Sequence, residues 1–406
     1  MKTDALRPHD EKREQRSVRV TGKARRWLAS GHPWVYRDDV AEAEAEPGDV
    51  VAVRDPQGTV IGHALFSANS RIALRFLTRS KEAPDAEFFD ERVKRAVAAR
   101  ARAGMLDRDG ACRLIAGDAD LLPGFVLDRY AQVLVVQSGT LASDRLRDAL
   151  VASARAALPF HVECVYDKSD TSARKLEGLE QRVEVVDGTL PAEVIVHEDG
   201  LKYAVDVVKG HKTGHYLDQR DNRQRAARGV EGAEVLDAFC YDGLFGVRAA
   251  LRGAKHVTCL DQSKEALERA AANARLNGVE DRMSFERVNC MQEMRARVES
   301  GVRYDVVIVD PPAFAKSRRE IEGAERGYVE MNKRAFALVK PNGLLVSASC
   351  SFNVRAADFK GYLARAAYQA GRDAWLEALT GAGPDHPVLL TLPETDYLKC
   401  AFVRVG

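Results

Sequence analysis

The chain has 406 residues, of which 46% are hydrophobic and 30% are charged. This length predicts two or three domains, and the composition is that of an ordinary globular protein rather than a disordered or fibrous one. The 61 basic and 60 acidic side chains nearly cancel, so any nucleic-acid surface must be a local patch. The first thirty residues carry a basic excess of that kind, although a solvated tail would have the same composition.

Hydropathy and cysteine usage narrow the class of protein further. The sequence has neither a secretory signal nor a run of 18 apolar residues, so we expect a cytoplasmic protein without a membrane partner. Its seven scattered cysteines include no CxxC pair, which predicts free thiols rather than disulfides or a zinc site. His211 and His215 lie four residues apart but lack a third ligand, and we predict no metal.

The first half of the chain predicts two small domains. From Ser17 to about Leu77, alternating apolar runs such as DVVAVRD are broken by Gly and Pro, which predicts a β-rich domain with one helix. A helical stretch, FFDERVKRAVAARARAGM, then leads to a hairpin-like segment, CRLIAGDADLLPGFVLDRYAQVLVVQ. A second helix near 142–157 and two strands, VECVYDK and QRVEVV, complete a mixed α/β domain.

After about Pro191, strands and helices alternate at the spacing of βαβ units. The predicted strands are EVLDAF, HVTCLD, MSFERV, YDVVIVD and GLLVSAS, and the intervening segments are amphipathic. This pattern predicts an α/β fold with a doubly wound, mostly parallel sheet. We therefore expect a disordered arm over 1–16, a β-rich domain over 17–80, a middle α/β domain over 81–190 and a C-terminal domain over 191–406.

Acidic residues end the first two of these strands. Asp237 precedes a turn of small residues that contains Gly243, as at the ligand-binding edge of such sheets. The turn has neither the GxGxxG fingerprint nor the Lys of a phosphate loop, which disfavours dinucleotides and nucleoside triphosphates. Asp261 lies where a carboxylate can accept hydrogen bonds from both ribose hydroxyls, although capping the next helix is the competing role.

The third and fourth strands end in an amide and in a rigid acidic turn. Asn289 is placed to read an adenine edge while Phe239 or Tyr241 packs against the ligand; a plain turn residue is the alternative. The fourth strand ends in Asp310 and two prolines, which fix the backbone and present one carboxylate rigidly to a substrate.

The series DAFCYDG, CLD, VNC, DPPAF resembles the motifs of class I S-adenosylmethionine-dependent methyltransferases. HKTGHYLDQRDNR, DPPAFAKS, SASCS, DHPV and YLK together resemble the large-subunit ribosomal RNA cytosine-5 methyltransferase family. SVRVTGKARRWLASGHPWVYRDD is similar to that family's N-terminal PUA domain, and RLIAGDADLLPGFVLDRY to its middle domain. The resemblance implies a Rossmann-like methyltransferase sheet behind a PUA-like β-barrel and a small α/β domain. It also implies S-adenosylmethionine as the cofactor and ribosomal RNA as the partner.

The resemblance also implies roles for individual residues. Cys350 would attack carbon 6 of the base while Asp310 bonds the cytosine amide edge; read alone, a cysteine that ends an apolar strand is a small buried hydrophobe. Ala313 stands where sibling enzymes have a second cysteine, so the base that removes the carbon-5 proton is unassigned. The expected cofactor-binding residues are Asp237, Phe239, Tyr241, Gly243, Asp261, Asn289, Asp310, Tyr216 and Gln219.

RNA contacts are expected from two segments. The resemblance implies that residues before the first C-terminal strand close over the cofactor or hold RNA phosphate, and we assign Lys212, Arg220 and Arg223 to RNA. In the N-terminal domain, Arg25, Arg26 and Trp27 would supply phosphate contacts and base stacking, with core packing as the alternative for the tryptophan. The sequence leaves the oligomeric state open between a monomer and a homodimer.

Three other functions compete with cytosine-5 methylation. A methyltransferase acting on an exocyclic amine uses a similar Asp-Pro-Pro followed at once by an aromatic ring, whereas here Phe314 comes one residue later. A non-catalytic RNA-binding factor for ribosome assembly would not require the acids and Cys350 to be intact. An oxidoreductase would require a nicotinamide site, which the missing glycine fingerprint disfavours.

Overall fold

A computed structural model of the chain describes residues 16–314 and 321–406, with the backbone alone for residues 321 and 322. The predicted disordered arm lies outside the described residues except for Arg16, as does the end of the DPPAFAKS motif from residue 315. The chain divides into two compact units. One comprises the residues up to Val196 with Val205–Leu217 and Pro384–Thr395, and the other comprises His197–Ala204, Asp218–Gly383 and Asp396–Gly406.

The first unit begins with the predicted β-rich domain. Its strands are β1 (Ser17–Val20), β2 (Trp34–Tyr36), β3 (Val40–Glu44), β4 (Val50–Arg54), β5 (Val60–Phe66) and β6 (Ile72–Thr78). They form one sheet in the order β2-β6-β5-β4-β1-β3. Alternate residues of β4 are buried, as its period of two predicts. The predicted helix is α1 (Gly22–Leu28), which Thr21 caps and which buries Ala24 and Leu28.

The middle segment of the same unit has a five-stranded sheet in the order β11-β10-β9-β8-β7. Its strands are β7 (Ala111–Ala116), β8 (Phe125–Tyr130), β9 (Val133–Ser138), β10 (Cys164–Ser169) and β11 (Arg182–Gly188). The predicted hairpin is confirmed as the antiparallel run from β7 to β9. Helices α2 (Ala86–Arg102), α3 (Leu141–Ala157) and α4 (Ser172–Leu176) accompany the sheet. Two short strands, β12 (Val194–Glu198) and β13 (Leu201–Val205), pair separately.

The second unit contains a seven-stranded sheet within the described residues, in the order β16-β15-β14-β17-β18-β20-β19. Its strands are β14 (Glu234–Ala238), β15 (His256–Asp261), β16 (Met283–Arg287), β17 (Tyr304–Val309), β18 (Val339–Ser349), β19 (Ala374–Thr380) and β20 (Lys399–Val405). The first five are the predicted strands, and they pair in parallel. The fold class is therefore confirmed. The antiparallel addition of β20 to β18 and of β19 to β20 was not predicted.

The helices of this unit are α5 (Arg220–Ala226), α6 (Leu244–Leu251), α7 (Lys264–Leu276), α8 (Cys290–Glu299), α9 (Ile321–Leu338) and α10 (Ala356–Gln369). The chain passes outward from β14 to β15 and β16 and then returns to place β17 on the other side of β14. This reversal opens a crevice between the ends of β14 and β17, where such sheets bind ligands. In the described parts of the chain, no helix has both the length and the hydropathy to cross a bilayer.

Candidate active site

The turn between β14 and α6 has an unusual backbone. Phe239, Tyr241 and Gly243 all have positive φ, at 63°, 53° and 74°, a region that non-glycine residues rarely adopt and that concentrates at functional sites. Only glycine fits at the third of these positions, because a Cβ there would lie 2.8 Å from the Cβ of Ala270. The turn therefore packs directly against α7.

Asp237, near the end of β14, stabilises this turn through a hydrogen bond. Its side chain is buried, and its Oδ2 accepts a hydrogen bond from the backbone N–H of Gly246 at 2.9 Å, which satisfies a free donor in the first turn of α6. Burial, helped by the nearby charges of Asp310, Asp242 and Asp261 and opposed by the Gly246 hydrogen bond, raises the pKa of Asp237 to about 8. Four carboxyl groups thus converge at these strand ends, an arrangement that favours a cationic ligand.

Asp261 ends the neighbouring strand and is half-buried. Its Oδ2 accepts from the backbone N–H of Tyr241 at 3.0 Å, and its Oδ1 accepts from that of Ser263 at 2.9 Å. Each carboxylate oxygen can accept a further bond, so these contacts fix the group without using up its capacity, and its ribose role stays a prediction. The helix-capping alternative is not what the structure shows, since Ser263 itself caps α7.

Three other expected cofactor contacts lie around this turn. The guanidinium of Arg269 lies 4.9 Å from the centroid of the Tyr241 ring, and the partly buried Phe239 packs against the hydrophobic core of this unit. Asn289 is exposed and caps α8, accepting from the N–H of Gln292 at 3.1 Å. The cap by itself explains an asparagine there, and its adenine role stays a prediction.

Asp310 follows β17 on the other side of the crevice. Its Oδ2 accepts from Nε2 of Gln219 at 2.9 Å. The amide oxygen of Gln219 in turn accepts from Nδ2 of Asn222 at 2.7 Å, so the orientation of the glutamine amide is determined. Thr380 completes the chain of contacts by donating to Oδ1 of Asn222 at 2.7 Å. The predicted Asp310 and Gln219 therefore contact each other directly.

Cys350 follows β18, the next strand along. Of the seven cysteines, all of which lie in the described part of the chain, only Cys350 is not buried. The residues on either side of it in the sequence share a hydroxyl cluster with Tyr328: Ser349 Oγ donates to the Tyr328 hydroxyl at 2.8 Å, and that hydroxyl lies 3.0 Å from Oγ of Ser351. The alternative of a small buried hydrophobe therefore does not describe this cysteine.

The positions of Arg220 and Arg223 do not fit the RNA-binding role expected of them, which requires an accessible guanidinium. Both are buried and converge on the carboxylate of Glu198, with Arg223 donating from Nη2 at 3.0 Å. Arg248 binds the other oxygen of Glu198 at 3.0 Å. A guanidinium held in this way is withdrawn from the surface on which phosphate binds, and this geometry does not support the RNA assignment of either arginine.

The remaining predicted residues belong to the first unit. Lys212 is exposed, and its Nζ lies 4.5 Å from the centroid of the Tyr216 ring, whose hydroxyl is 3.0 Å from Nδ1 of His211. On α1, Arg25 and Arg26 are exposed, and Trp27 is 44% exposed. Trp27 therefore does not pack in the core, and its RNA role stays a prediction.

Sequence reasoning missed one residue beside Cys350. Lys399, the first residue of β20, is buried and donates from Nζ to the carbonyl oxygen of Ser351 at 2.7 Å. Only its place in the YLK motif drew attention to it, because the antiparallel strand that carries it was not predicted.

Comparison with known proteins identifies the family. Residues 18–79 match the PUA-like domain family, and residues 180–387 match the S-adenosylmethionine-dependent methyltransferase family. Ribosomal RNA large subunit methyltransferase I of Aeromonas hydrophila is 40% identical over 93% of this chain and 96% of its own length. This chain belongs to the ribosomal RNA large subunit methyltransferase I family. The member from Shewanella amazonensis is 41% identical over 92% of this chain and 95% of its own length.

Membership of the methyltransferase I family confirms two predictions, the PUA-like and Rossmann-like architecture and S-adenosylmethionine as the cofactor. The fold has a solved counterpart in SMU.776, crystallised in complex with SAH. It aligns with a TM-score of 0.82 at 20% identity, over 96% of this chain and 99% of that one. The turn after β14 and the acids around it fit a cofactor that carries a sulfonium and an ammonium group.

Proposed function

We propose that this chain transfers a methyl group from S-adenosylmethionine to carbon 5 of a cytosine in large-subunit ribosomal RNA. The curated relatives that share over 90% of its length are named for ribosomal RNA of the large subunit, which supports the substrate class. The observation that carries the choice of carbon 5 is Cys350, the half-buried thiol that follows β18, since the other six cysteines are buried.

The chemistry of carbon 5 explains why a thiol matters. This carbon is too weak a nucleophile to accept a methyl group until another nucleophile adds to carbon 6. In the proposed reaction the Cys350 thiolate forms a bond to carbon 6, the carbon 5–carbon 6 double bond gives up its electron pair toward N3, and N3 takes a proton from solvent while Asp310 bonds the cytosine amide edge. S-adenosylmethionine supplies an electrophilic methyl group. Carbon 5 accepts it with release of S-adenosylhomocysteine, and N3 returns its proton to solvent. A base then removes the proton of carbon 5, and the bond between carbon 6 and sulfur breaks with its electron pair returning to the thiolate.

The positions of Asp310 and Cys350 suit a shared substrate. They follow adjacent parallel strands, in which Val309 of β17 pairs with Ser347 of β18. Both groups are only half-buried, and so both are accessible from the edge of the sheet that carries the cofactor turn. A base enters such a pocket only when it is single-stranded or extruded, which costs a few kcal/mol.

One contact disfavours methylation of an exocyclic amine. That reaction relies on an aromatic ring after the Asp-Pro-Pro turn to hold the target base. Here the ring of Phe314 packs edge-to-face on Tyr328 with centroids 4.8 Å apart, in a side-chain cluster of the core. The amine reaction also has no use for a thiol beside the aspartate.

The test is methylation of ribosomal RNA by Cys350→Ala, with the product nucleoside identified by mass spectrometry. We expect 5-methylcytidine from the wild type, none from the variant, and equal binding of S-adenosylhomocysteine by calorimetry. Cys400→Ala, which removes a buried thiol from β20, is the matched control and should remain active. An active Cys350→Ala enzyme would rule out the thiol mechanism, a methylated amine would support the competing reaction, and no binding heat would indicate a non-catalytic factor.

A further inference from the structure

Lys399 lies on β20, the strand that pairs with β18, and Cys350 follows β18. It is the first residue of β20 and pairs with Ser349, the last residue of β18. Side chains of directly paired residues in antiparallel strands project from the same face of the sheet. The Lys399 side chain therefore projects from the same face as Ser349, the residue before Cys350, and it is only 3% exposed.

Two hydrogen bonds fix the ammonium group of Lys399. Its Nζ donates to the carbonyl oxygen of Ser351 at 2.7 Å and to that of Tyr397 at 2.8 Å. The Tyr397 hydroxyl donates to Oδ2 of the buried Asp218 at 2.6 Å, which anchors the second carbonyl. The cation is thus held against the backbone that immediately follows Cys350.

The charge of this group is not balanced by a salt bridge. Within the part of the chain that the structure describes, no carboxylate oxygen lies within ion-pair distance of Lys399, and its two bonded partners are neutral carbonyls. Burial lowers the pKa of Lys399 to about 8, against smaller raising effects from Asp396, Cys350 and Asp358. Burying a cation is costly unless an opposite charge faces it, and a thiolate at Cys350 would add such a charge to those of Asp396 and Asp358.

We propose that Lys399 is a positioning residue that stabilises the thiolate of Cys350 and so prepares the sulfur to attack carbon 6 of the target base. The inference rests on the proposed function, in which Cys350 is the nucleophile. The thiol proton passes to solvent, the sulfur electron pair forms the bond to carbon 6, and the lysine keeps its own proton throughout. The neighbouring hydroxyls of Tyr328, Ser349 and Ser351 bond to one another, and the carboxylates of Asp396 and Asp358 act on Lys399 from beyond ion-pair distance.

The rate at which iodoacetamide alkylates Cys350, measured from pH 5 to 10 without RNA, tests this role. The other six cysteines are buried, and Cys350→Ala gives their background. An ordinary thiol is half-ionised near pH 8.5; we expect a midpoint clearly below that value in the wild type. Lys399→Met should raise the midpoint by about one unit, which corresponds to about tenfold slower alkylation at pH 7.

Two controls separate electrostatics from packing. Lys399→Arg keeps the positive charge and should keep most of the lowering of the midpoint. Lys340→Met removes a different lysine, which lies at the start of β18 and is paired with Asp305, and it should leave the pH profile unchanged. A wild-type midpoint at or above 8.5 would overturn the proposal even if no variant folds, and so would a folded Lys399→Met with the wild-type profile. Because the assay needs no RNA, its result is independent of whether Cys350→Ala abolishes methylation.

Discussion

Nε2 of Gln219 donates a hydrogen bond to Oδ2 of Asp310 at 2.9 Å, and this contact joins the segment before α5 to the acidic turn after β17. The glutamine is buried and its amide oxygen is held by Asn222. Only the N–H₂ end of the amide can therefore face the aspartate. This hydrogen bond fixes the orientation of the Asp310 carboxyl group, which its proposed role at the cytosine amide edge requires.

Replacing Gln219 with glutamate tests this contact. In Gln219→Glu a second carboxylate would meet Asp310, and two close carboxylates share a proton, which raises one pKa strongly. We expect methyl transfer at pH 8 to fall by about tenfold or more, with partial recovery at lower pH as the pair takes up a proton. Gln369→Glu, on the exposed end of α10, is the control. A flat ratio of variant to wild-type activity across pH would contradict this interpretation.

Cofactor binding should depend on pH through Asp237. Its raised pKa of about 8 means that the carboxyl is mostly neutral at pH 6 and mostly charged at pH 9. The affinity for the cationic S-adenosylmethionine should therefore rise with pH across this range, while that for the uncharged thioether of S-adenosylhomocysteine should change less. Titration calorimetry at several pH values measures both. Asp237→Asn keeps an acceptor for the N–H of Gly246 and should flatten the pH dependence of the affinity. An equally steep profile in the variant would assign the pH dependence to another group.

The same pKa makes a prediction for stability. Asp237 has a higher pKa in the folded chain than the roughly 3.9 of an unfolded one, so folding takes up a proton between about pH 4 and 8. The unliganded protein should therefore lose stability as the pH rises through this window, and Asp237→Asn should lose less. Urea unfolding at pH 5, 6.5 and 8 measures the difference.

The tight packing of the cofactor turn predicts a large cost for Gly243→Ala. The residue has positive φ, and the new methyl group would lie 2.8 Å from the Cβ of Ala270. Gly278→Ala is a matched control, since that glycine also has positive φ but no atom within 4 Å of a built Cβ. Both should pay the backbone cost of about 1 kcal/mol, and Gly243→Ala should lose about 1–3 kcal/mol more through overpacking. Equal denaturant midpoints would show that the close approach is relieved without cost.

The exposed ring of Phe352 indicates a contact with the RNA. Its ring is 51% exposed two residues after Cys350, where it can stack on an unpaired base. Base stacking on an aromatic ring contributes about 1–3 kcal/mol, so Phe352→Ala should weaken RNA binding by about fivefold or more in a filter-binding assay. Its affinity for S-adenosylhomocysteine should not change. Tyr368→Ala, which removes a ring 86% exposed on α10, should bind RNA as the wild type does; equal losses in both variants would argue against a specific stack.

The sequence predicted what depends on local pattern. Strand ends followed by small residues located Asp237 and Asp261, because the apolar runs of parallel strands and the turns after them are continuous in sequence. The buried state of Arg223 was not predictable, because it depends on Glu198, which precedes it by 25 residues and reaches it only through the fold. Lys399 was missed for a similar reason, since it meets Ser349 and Ser351 only through an unpredicted antiparallel pairing.

The central claim is that the sulfur of Cys350 bonds to carbon 6 of the target cytosine, and 5-fluorocytosine tests it most directly. Fluorine at carbon 5 cannot be removed as a proton is, so the adduct should persist. Incubation of such an RNA with enzyme and S-adenosylmethionine should give a covalent complex whose digested peptide carries the nucleotide at Cys350. An unmodified Cys350 peptide, with the methyl group recovered on RNA that is not attached to protein, would contradict the mechanism.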